Sequence, residues 1–406
     1  MLIILKKQNF PLTDRSIIME FRYTKEEEEF RQEVRQFLQS ESELIEKVKQ
    51  EEISGAGWGP YTWEFMRKAG AKGYLTPSWP QKYGGLGASH MERYIVSEEL
   101  AYCLGRLAAV GVGMAGPVIL HSGTEEQKEE FLSRIARGEI EFSLGYTEPE
   151  AGSDLASLEI RAVRDGDYYK INGQKVFNTA SHYSQYHWLA ARTDPAAKKH
   201  RGISMFIVDL KSPGITIRPL TGLGKIRTNE VFYDDVKVPA DRLVGEENRG
   251  WEYLIAALAF ERTWHAGENI YELETLLDYI RNTKRNGKPI ADDPTVRQDV
   301  AQLAIDIEVA RLFGLRIACI IEKGAIPTYE SSMTKMFGSE TAYNLAAEWM
   351  KIIAPYGQLN MGSKHAIDDG RPGRVLYNRA TRSLITAGTS EIQRNIIAMQ
   401  LGLPRG

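Results

Sequence analysis

The chain has 406 residues, of which 43% are hydrophobic and 26% charged, and its formal net charge is -3. That length allows two or three domains around substantial cores, and a near-neutral balance excludes the basic footprint of a nucleic-acid-binding protein. Cys103 and Cys319 are the two cysteines, too few for a disulfide framework or a metal cluster, and no apolar run reaches the roughly 18 residues of a membrane span, so a cytoplasmic protein with no membrane span is expected.

Residues 1–18 mix Leu, Ile, Lys and Pro without the apolar core or small-residue cleavage site of a signal peptide, and are read as an extension or a misassigned start. A helical domain is expected over 19–140. Thr24 with Glu27 three residues later makes a capping box ahead of Phe30, Val34 and Phe37, and the acidic run Glu26–Glu29 falls in the first turn, where the helix dipole favours it. Gly73–Gly87 is rich in Gly and Pro and reads as a loop, and helical periodicity returns from about Met91 to Arg137. Inside that stretch, Gly111-Val112-Gly113-Met114-Ala115-Gly116 fits the dinucleotide pattern G-x-G-x-x-G. The pattern needs a strand before it, and here the preceding residues read as helix, so the glycines are taken as close helix packing.

The pattern changes near residue 140. Over 141–248 the chain shows short β-rich runs at Trp188–Ala191, Ile203–Val208, Ile215–Ile217 and Val231–Val236, with Asp165-Gly166-Asp167 and Ser212-Pro213-Gly214 as turn signals, and a β domain is expected. Over 249–406 the helical period resumes, interrupted at Pro289, Pro294, Pro327 and Pro355-Tyr356-Gly357. The seven histidines lack metal-ligand spacing, and no metal site is expected.

Four segments carry a family signature. Tyr146-Thr147-Glu148-Pro149-Glu150-Ala151-Gly152-Ser153-Asp154 packs more turn chemistry than a plain element holds and more order than a linker. It resembles the TEP-x-AGSD motif of the acyl-CoA dehydrogenase family. Asn172-Gly173-Gln174-Lys175-Val176-Phe177-Asn178-Thr179 is similar to that family's NG-x-K-x-WIT segment. Glu230–Pro239 is similar to the strand and turn that leave its middle domain, and Gly388-Thr389-Ser390-Glu391-Ile392-Gln393-Arg394 matches its GTSEIQR. The resemblance implies a multidomain α+β fold with a helical N-terminal domain, a middle β domain and a C-terminal four-helix bundle.

The same resemblance implies FAD as cofactor, an acyl-CoA substrate, an electron-transfer flavoprotein as acceptor, and a homotetramer or hetero-oligomer. Tyr146 and Thr147 would lie on the flavin, with the Thr147 hydroxyl at its pyrimidine edge, and Thr179 at N5. Phe177 stands where the family usually has a tryptophan against the ring. Ser153 would lie near the flavin and the thioester or CoA arm, and Thr389 and Glu391 near the adenine side. The usual diphosphate arginine position is Thr283, so Arg281 or Arg285 is the substitute, and Gly357 stands in an altered form of the family's glycine turn.

The reaction needs a carboxylate beside the flavin, in apolar surroundings, to take a proton from the substrate Cα. Many relatives carry it just before Gly388, where this chain has Ala387; a backbone N–H at that place can still polarise the thioester oxygen. A subset of the family carries the base on the helix after the β domain, which here is Glu261, following the apolar run Ile255–Phe260. Arg262 is expected at the CoA side or supporting the base. Thr386 and Ala387 are small, leaving room for a branched or bulky acyl chain. Two other readings stay open: an FAD- and CoA-binding partner subunit of a hetero-oligomer, and an oxidase or flavin monooxygenase on the same fold.

Overall fold

The computed structural model describes residues 22–55, 57–105, 109–261, 266–325, 327–360 and 362–403, without the side chains of Lys225, Ala259, Phe260, Glu261, Asp369 and Arg374. Residues 1–18, read above as an extension, and Arg262 therefore lie outside the described residues.

Helices α1 (Lys25–Ser40), α2 (Ser42–Ser54), α3 (Pro60–Ala71), α4 (His90–Leu104), α5 (Gly116–Ser122) and α6 (Glu125–Ala136) build the N-terminal part. Short polar side chains start three of them. Thr24, Ser89 and Thr124 each accept from the third residue on, whose own side chain bonds back; each box satisfies two amides that would otherwise be orphaned. Val34, Phe37, Leu38, Phe65 and Val96 pack one core between α1, α3 and α4. The Gly111–Gly116 segment is helical, as its rejection as a nucleotide loop requires: a π-helical turn, Gly111–Ala115, runs into α5. A Cβ on Gly116 would stand 2.3 Å from Trp79 Cη2, so glycine lets the indole pack onto the helix.

The middle part is an eight-stranded sheet. Its strands are β1 (Phe142–Gly145), β2 (Arg161–Asp165), β3 (Tyr168–Lys175), β4 (Tyr186–Arg192), β5 (Ile203–Asp209), β6 (Ile215–Thr221), β7 (Arg227–Pro239) and β8 (Leu243–Val244). The order is β6-β7-β3-β2-β4-β5-β8, and β1 adds to β4 in parallel. All four expected runs are strands. Strands β1, β2, β3 and β8 were not read from the sequence, because β2 and β3 carry Arg, Lys and Asn on one face and offer no apolar run. The register of β3 against β7 shifts between Ile171 and Gly173, beside the end of β3 that leads to Phe177.

The C-terminal part holds α7 (Gly250–Glu261), α8 (Gly267–Asn282), a two-residue hairpin β9 (Lys284–Arg285) and β10 (Lys288–Pro289), α9 (Pro294–Glu322), α10 (Tyr329–Ile353), α11 (Asn378–Ser383) and α12 (Ser390–Gln400). Leu276, Ile280, Val300, Leu303, Leu345, Trp349 and Ile352 form its core. Charged side chains tie it to the N-terminal part. Arg379 bonds Glu52 of α2 at 2.6 Å and also Glu268 of α8, while Arg371 holds Glu272 within the C-terminal part. Among the described residues no helix is long and apolar enough to cross a membrane.

Candidate active site

Two stretches of the β domain lie side by side. Residues 146–148 leave β1 with alternating burial: Tyr146 and Glu148 are buried and Thr147 is half-buried between them. Beyond β3, Lys175 and Val176 are buried and Phe177 is exposed. The Val176 N–H donates to the Thr147 carbonyl at 2.9 Å. Lys175 Nζ donates to the Tyr146 carbonyl and to Glu148 Oε1, each at 2.8 Å, and Glu148 also accepts from the Glu159 and Ile160 amides at 2.6 and 3.0 Å.

Phe177 has φ +59° and is 63% exposed. Ala180 has φ +76°. Side-chain-bearing residues adopt such backbone at a cost, and it persists only where the surroundings impose it. Asn229 on β7 imposes it here. Its carbonyl accepts from the Asn178 N–H and its Nδ2 donates to the Asn178 carbonyl, both at 2.9 Å, while Asn178 Nδ2 reaches the Leu144 carbonyl at 2.6 Å. Thr179 is exposed, with its hydroxyl 3.3 Å from that of Thr228. Thr147, Phe177 and Thr179 thus come together on one edge. Tyr146 belongs to the interior: its ring is 5% exposed and its hydroxyl accepts from Trp188 Nε1 at 3.0 Å, leaving only its backbone for a ligand. Ser153 is exposed on the loop after Glu148.

A second group forms around the turn between α11 and α12. Ala387 has φ +57° and Gly388 φ +90°. Lys335 of α10, 3% exposed, donates to the Gly388 carbonyl at 2.7 Å, and Gln393 Nε2 donates to the Ala387 carbonyl at 2.9 Å. With these two carbonyls held, the peptide units on either side of Gly388 have a fixed orientation. Thr386 beside it is exposed. The Thr389 hydroxyl caps α12 by accepting from the Ile392 N–H at 3.3 Å. Glu391 is held below the usual carboxylate range, first by its own backbone N–H at the helix start and then by Thr389. Thr389 and Glu391 line a cavity of about 410 Å³ with Tyr343, Asn344, Ile385 and Arg394.

The residues proposed for the diphosphate do not join them. Arg285 Nη2 donates to the Ile352 carbonyl at 2.5 Å, closing the C-terminal end of α10, and Arg281 is exposed in the last turn of α8. Gly357 is buried and lines a different cavity, of about 360 Å³, with Gly224, Gln358, Asn360 and Tyr377. Ile352 lies seventeen positions along α10 from Lys335, which is about 26 Å at the helical rise. Glu261 is the last residue of α7, and its side chain and all of Arg262 fall outside the described residues.

Sequence reasoning missed Asn178, Asn229, Lys335 and Gln393. Asn178 and Gln393 lie inside signature segments; nothing local marks Asn229 or Lys335. The groups present suit FAD. Asn178 Oδ1, Ser390 Oγ and Gln393 Oε1 are buried and have no partner among the described residues, although such atoms are almost always satisfied in a folded protein. They lie in the two segments that carry the exposed Phe177 and the Ala387 turn.

The N-terminal, middle and C-terminal domains of the acyl-CoA dehydrogenases match residues 24–139, 143–236 and 248–402. The acyl-CoA dehydrogenase FadE26 of Mycobacterium tuberculosis is 36% identical over 402 residues, covering 95% of this chain and 99% of that protein. Among solved structures, the ChsE4-ChsE5 complex from Mycobacterium tuberculosis is 35% identical with a TM-score of 0.86, over 96% of this chain and 100% of the matched one. The Tcur3481-Tcur3483 steroid ACAD is 32% identical with a TM-score of 0.86 and the same coverage.

Proposed function

The chain belongs to the acyl-CoA dehydrogenase family, and we propose that it dehydrogenates a bulky, ring-bearing acyl-CoA thioester to the trans-2-enoyl-CoA, with Glu261 as base. Members of this family depend on FAD. When bound, FAD supplies the acceptor for the hydride that leaves the substrate Cβ. The carrying observation is the presence in one chain of a β segment on which Thr147 is half-buried and Phe177 and Thr179 are exposed, and of a left-handed turn at Ala387 and Gly388 with its carbonyls held.

In this reading the Thr147 and Thr179 hydroxyls orient the cofactor and Phe177 packs on it. The Ala387 N–H donates to the thioester oxygen, which acidifies the Cα–H in the ground state and gains strength as negative charge develops. Glu261 then takes the proton; the apolar sequence before it, Ile255–Phe260, is what supports this reading, since a poorly solvated carboxylate is a stronger base. Ser153 and Arg262 hold the CoA arm. The small Thr386 and Ala387 leave space beside Cα, and the kinship with a steroid enzyme supports a ring-bearing acyl group. An electron-transfer flavoprotein would serve as the electron acceptor.

A second reading has support of its own. Both solved relatives named above are two-component assemblies, and here Thr389 and Gly357 line separate cavities. The cofactor's diphosphate end is therefore assigned to an interface, and the partner chain is either a second copy or a different subunit.

The test is anaerobic titration of the yellow protein with acyl-CoAs of increasing bulk, for wild type and Glu261→Gln. Bleaching by ring-bearing thioesters, lost in Glu261→Gln, is expected. Bleaching that Glu261→Gln retains overturns the assignment of the base. A response to short linear thioesters alone overturns the substrate class, and release of peroxide in air moves the reading to an oxidase.

A further inference from the structure

We propose that the buried Lys175–Glu148 pair is a positioning couple for the flavin, fixing Thr147 and Phe177 at a set spacing from inside the β domain. The inference rests on the flavin reading above and adds two residues that touch neither cofactor nor substrate.

Lys175 is fully buried at the end of β3 and Glu148 is 7% exposed. Charges this deep need a reason, because an ion pair seldom recovers its desolvation and an apolar pair of similar volume is often as stable or more so. The geometry supplies one. Three bonds join residues 146–148 to residues 175–176: Lys175 to the Tyr146 carbonyl and to Glu148 at 2.8 Å each, and the Val176 amide to the Thr147 carbonyl at 2.9 Å. Tyr146 and Glu148 face inward on either side of Thr147, and Lys175 and Val176 face inward just before Phe177. The residues left facing out are those assigned to the cofactor. An apolar pair would fill the same space without directed bonds and would leave the Tyr146 carbonyl and the Glu159 and Ile160 amides without their present partners.

The charge of the couple is conditional. Burial holds Lys175 below the ordinary lysine range, at about 8, against the pull of Glu148, and the Arg192 guanidinium adds to the lowering. Glu148 and Arg192 are the charged groups facing it. Loss of the Lys175 proton above that pH leaves Glu148 without its counter-charge, and the hold on Thr147 loosens.

The experiment uses the oligomer that the chain forms, with Lys175→Met, Lys175→Arg and Glu148→Gln, and with Ile207→Val on β5 as a stability control away from the couple. FAD affinity is read by flavin fluorescence, and the visible spectrum and midpoint potential of the bound cofactor are recorded. Lys175→Met is expected to weaken FAD binding by about tenfold, the factor one good hydrogen-bonded charge makes, and to shift spectrum and potential. Glu148→Gln should move them the same way by less. Wild-type affinity should fall as pH rises through about 8, and Lys175→Arg, which keeps its charge, should flatten that fall. Should Lys175→Met fail to fold, Glu148→Gln and the pH series carry the test. Variants that lose stability as Ile207→Val does, while spectrum, potential and affinity match wild type, overturn the proposal and leave the flavin reading standing. A wild-type oligomer that takes up no FAD overturns both.

Discussion

Phe177, Ala180 and Ala387 share a left-handed backbone that residues with side chains adopt at about 1 kcal/mol or more each. Phe177 lies inside a signature segment and Ala180 and Ala387 each lie one residue outside one, so the strain falls where the function is assigned. A different residue offers a test of burial. Glu141 is 1% exposed at the entry to β1, its carboxyl accepting from the Gly111 and Phe142 amides at 2.6 and 2.7 Å. Burial pushes its pKa from the ordinary 4.5 up to about 8, against the pull of those amides. With the folded value above the unfolded one, its stabilising share is complete below about 4.5 and is lost as pH rises through about 8. Glu141→Gln keeps an acceptor oxygen and cannot ionise. Melting temperatures measured from pH 5 to 8 should therefore fall for wild type relative to Glu141→Gln; parallel curves would show that Glu141 stays ionised throughout.

At the scale of elements, the Gly111–Gly116 segment shows how little a glycine pattern says by itself. Gly116 and Gly113 have the same local chemistry and opposite surroundings. A Cβ at Gly116 meets the Trp79 ring at 2.3 Å and the Gly111 carbonyl at 2.6 Å, whereas one at Gly113 meets no described atom within 4 Å. Gly116→Ala should destabilise by about 1–3 kcal/mol through overpacking, which outweighs the gain of up to about 1 kcal/mol in helix propensity. Gly113→Ala should be neutral or stabilising, by up to about 1 kcal/mol. Melting shifts of opposite sign are the expected result, and two shifts of one sign would refute this packing argument. The capping boxes at Thr24 and the proline breaks were legible because their partners lie three residues apart or in the residue itself. Strands β2 and β3 were not, since a strand with one polar face is defined by the neighbour it pairs with.

Across the whole molecule, Arg379 is one of the side chains that join the helical parts, beside Tyr102 on Glu274 and Glu322 on the His90 amide. It joins Glu52 of α2 to Glu268 of α8, and its guanidinium is held above its usual range because those two acids outweigh its burial. Arg379→Met leaves two carboxylates facing each other without their cation. Breaking a fully buried pair costs roughly 3 to 5 kcal/mol, and this one should fall at the lower end because the Glu52 side chain keeps 37% of its surface. Arg379→Met with Glu268→Met should recover part of the loss in thermal unfolding. A double variant less stable than the single would show that Glu268 has a separate structural duty.

The sequence by itself determined the order helical, β, helical, the family, and the segments to which the site is assigned, because those signals are local: hydrophobic period, capping pairs and a few contiguous motifs. It also placed Glu261 and Ala387 in their roles as expectations, through a motif present in one case and altered in the other. Only the tertiary structure decided which of the named residues meet. Thr147 and Phe177 are thirty positions apart and are brought together by Lys175 and Glu148; Gly388, next to Ala387, is held by Lys335, more than fifty positions away; Arg285 is turned to the end of α10. Tyr146, inside a signature segment, is committed to the core. These outcomes depend on contacts between residues far apart in the chain, formed where burial removes water and leaves each polar group to find its partner in the protein.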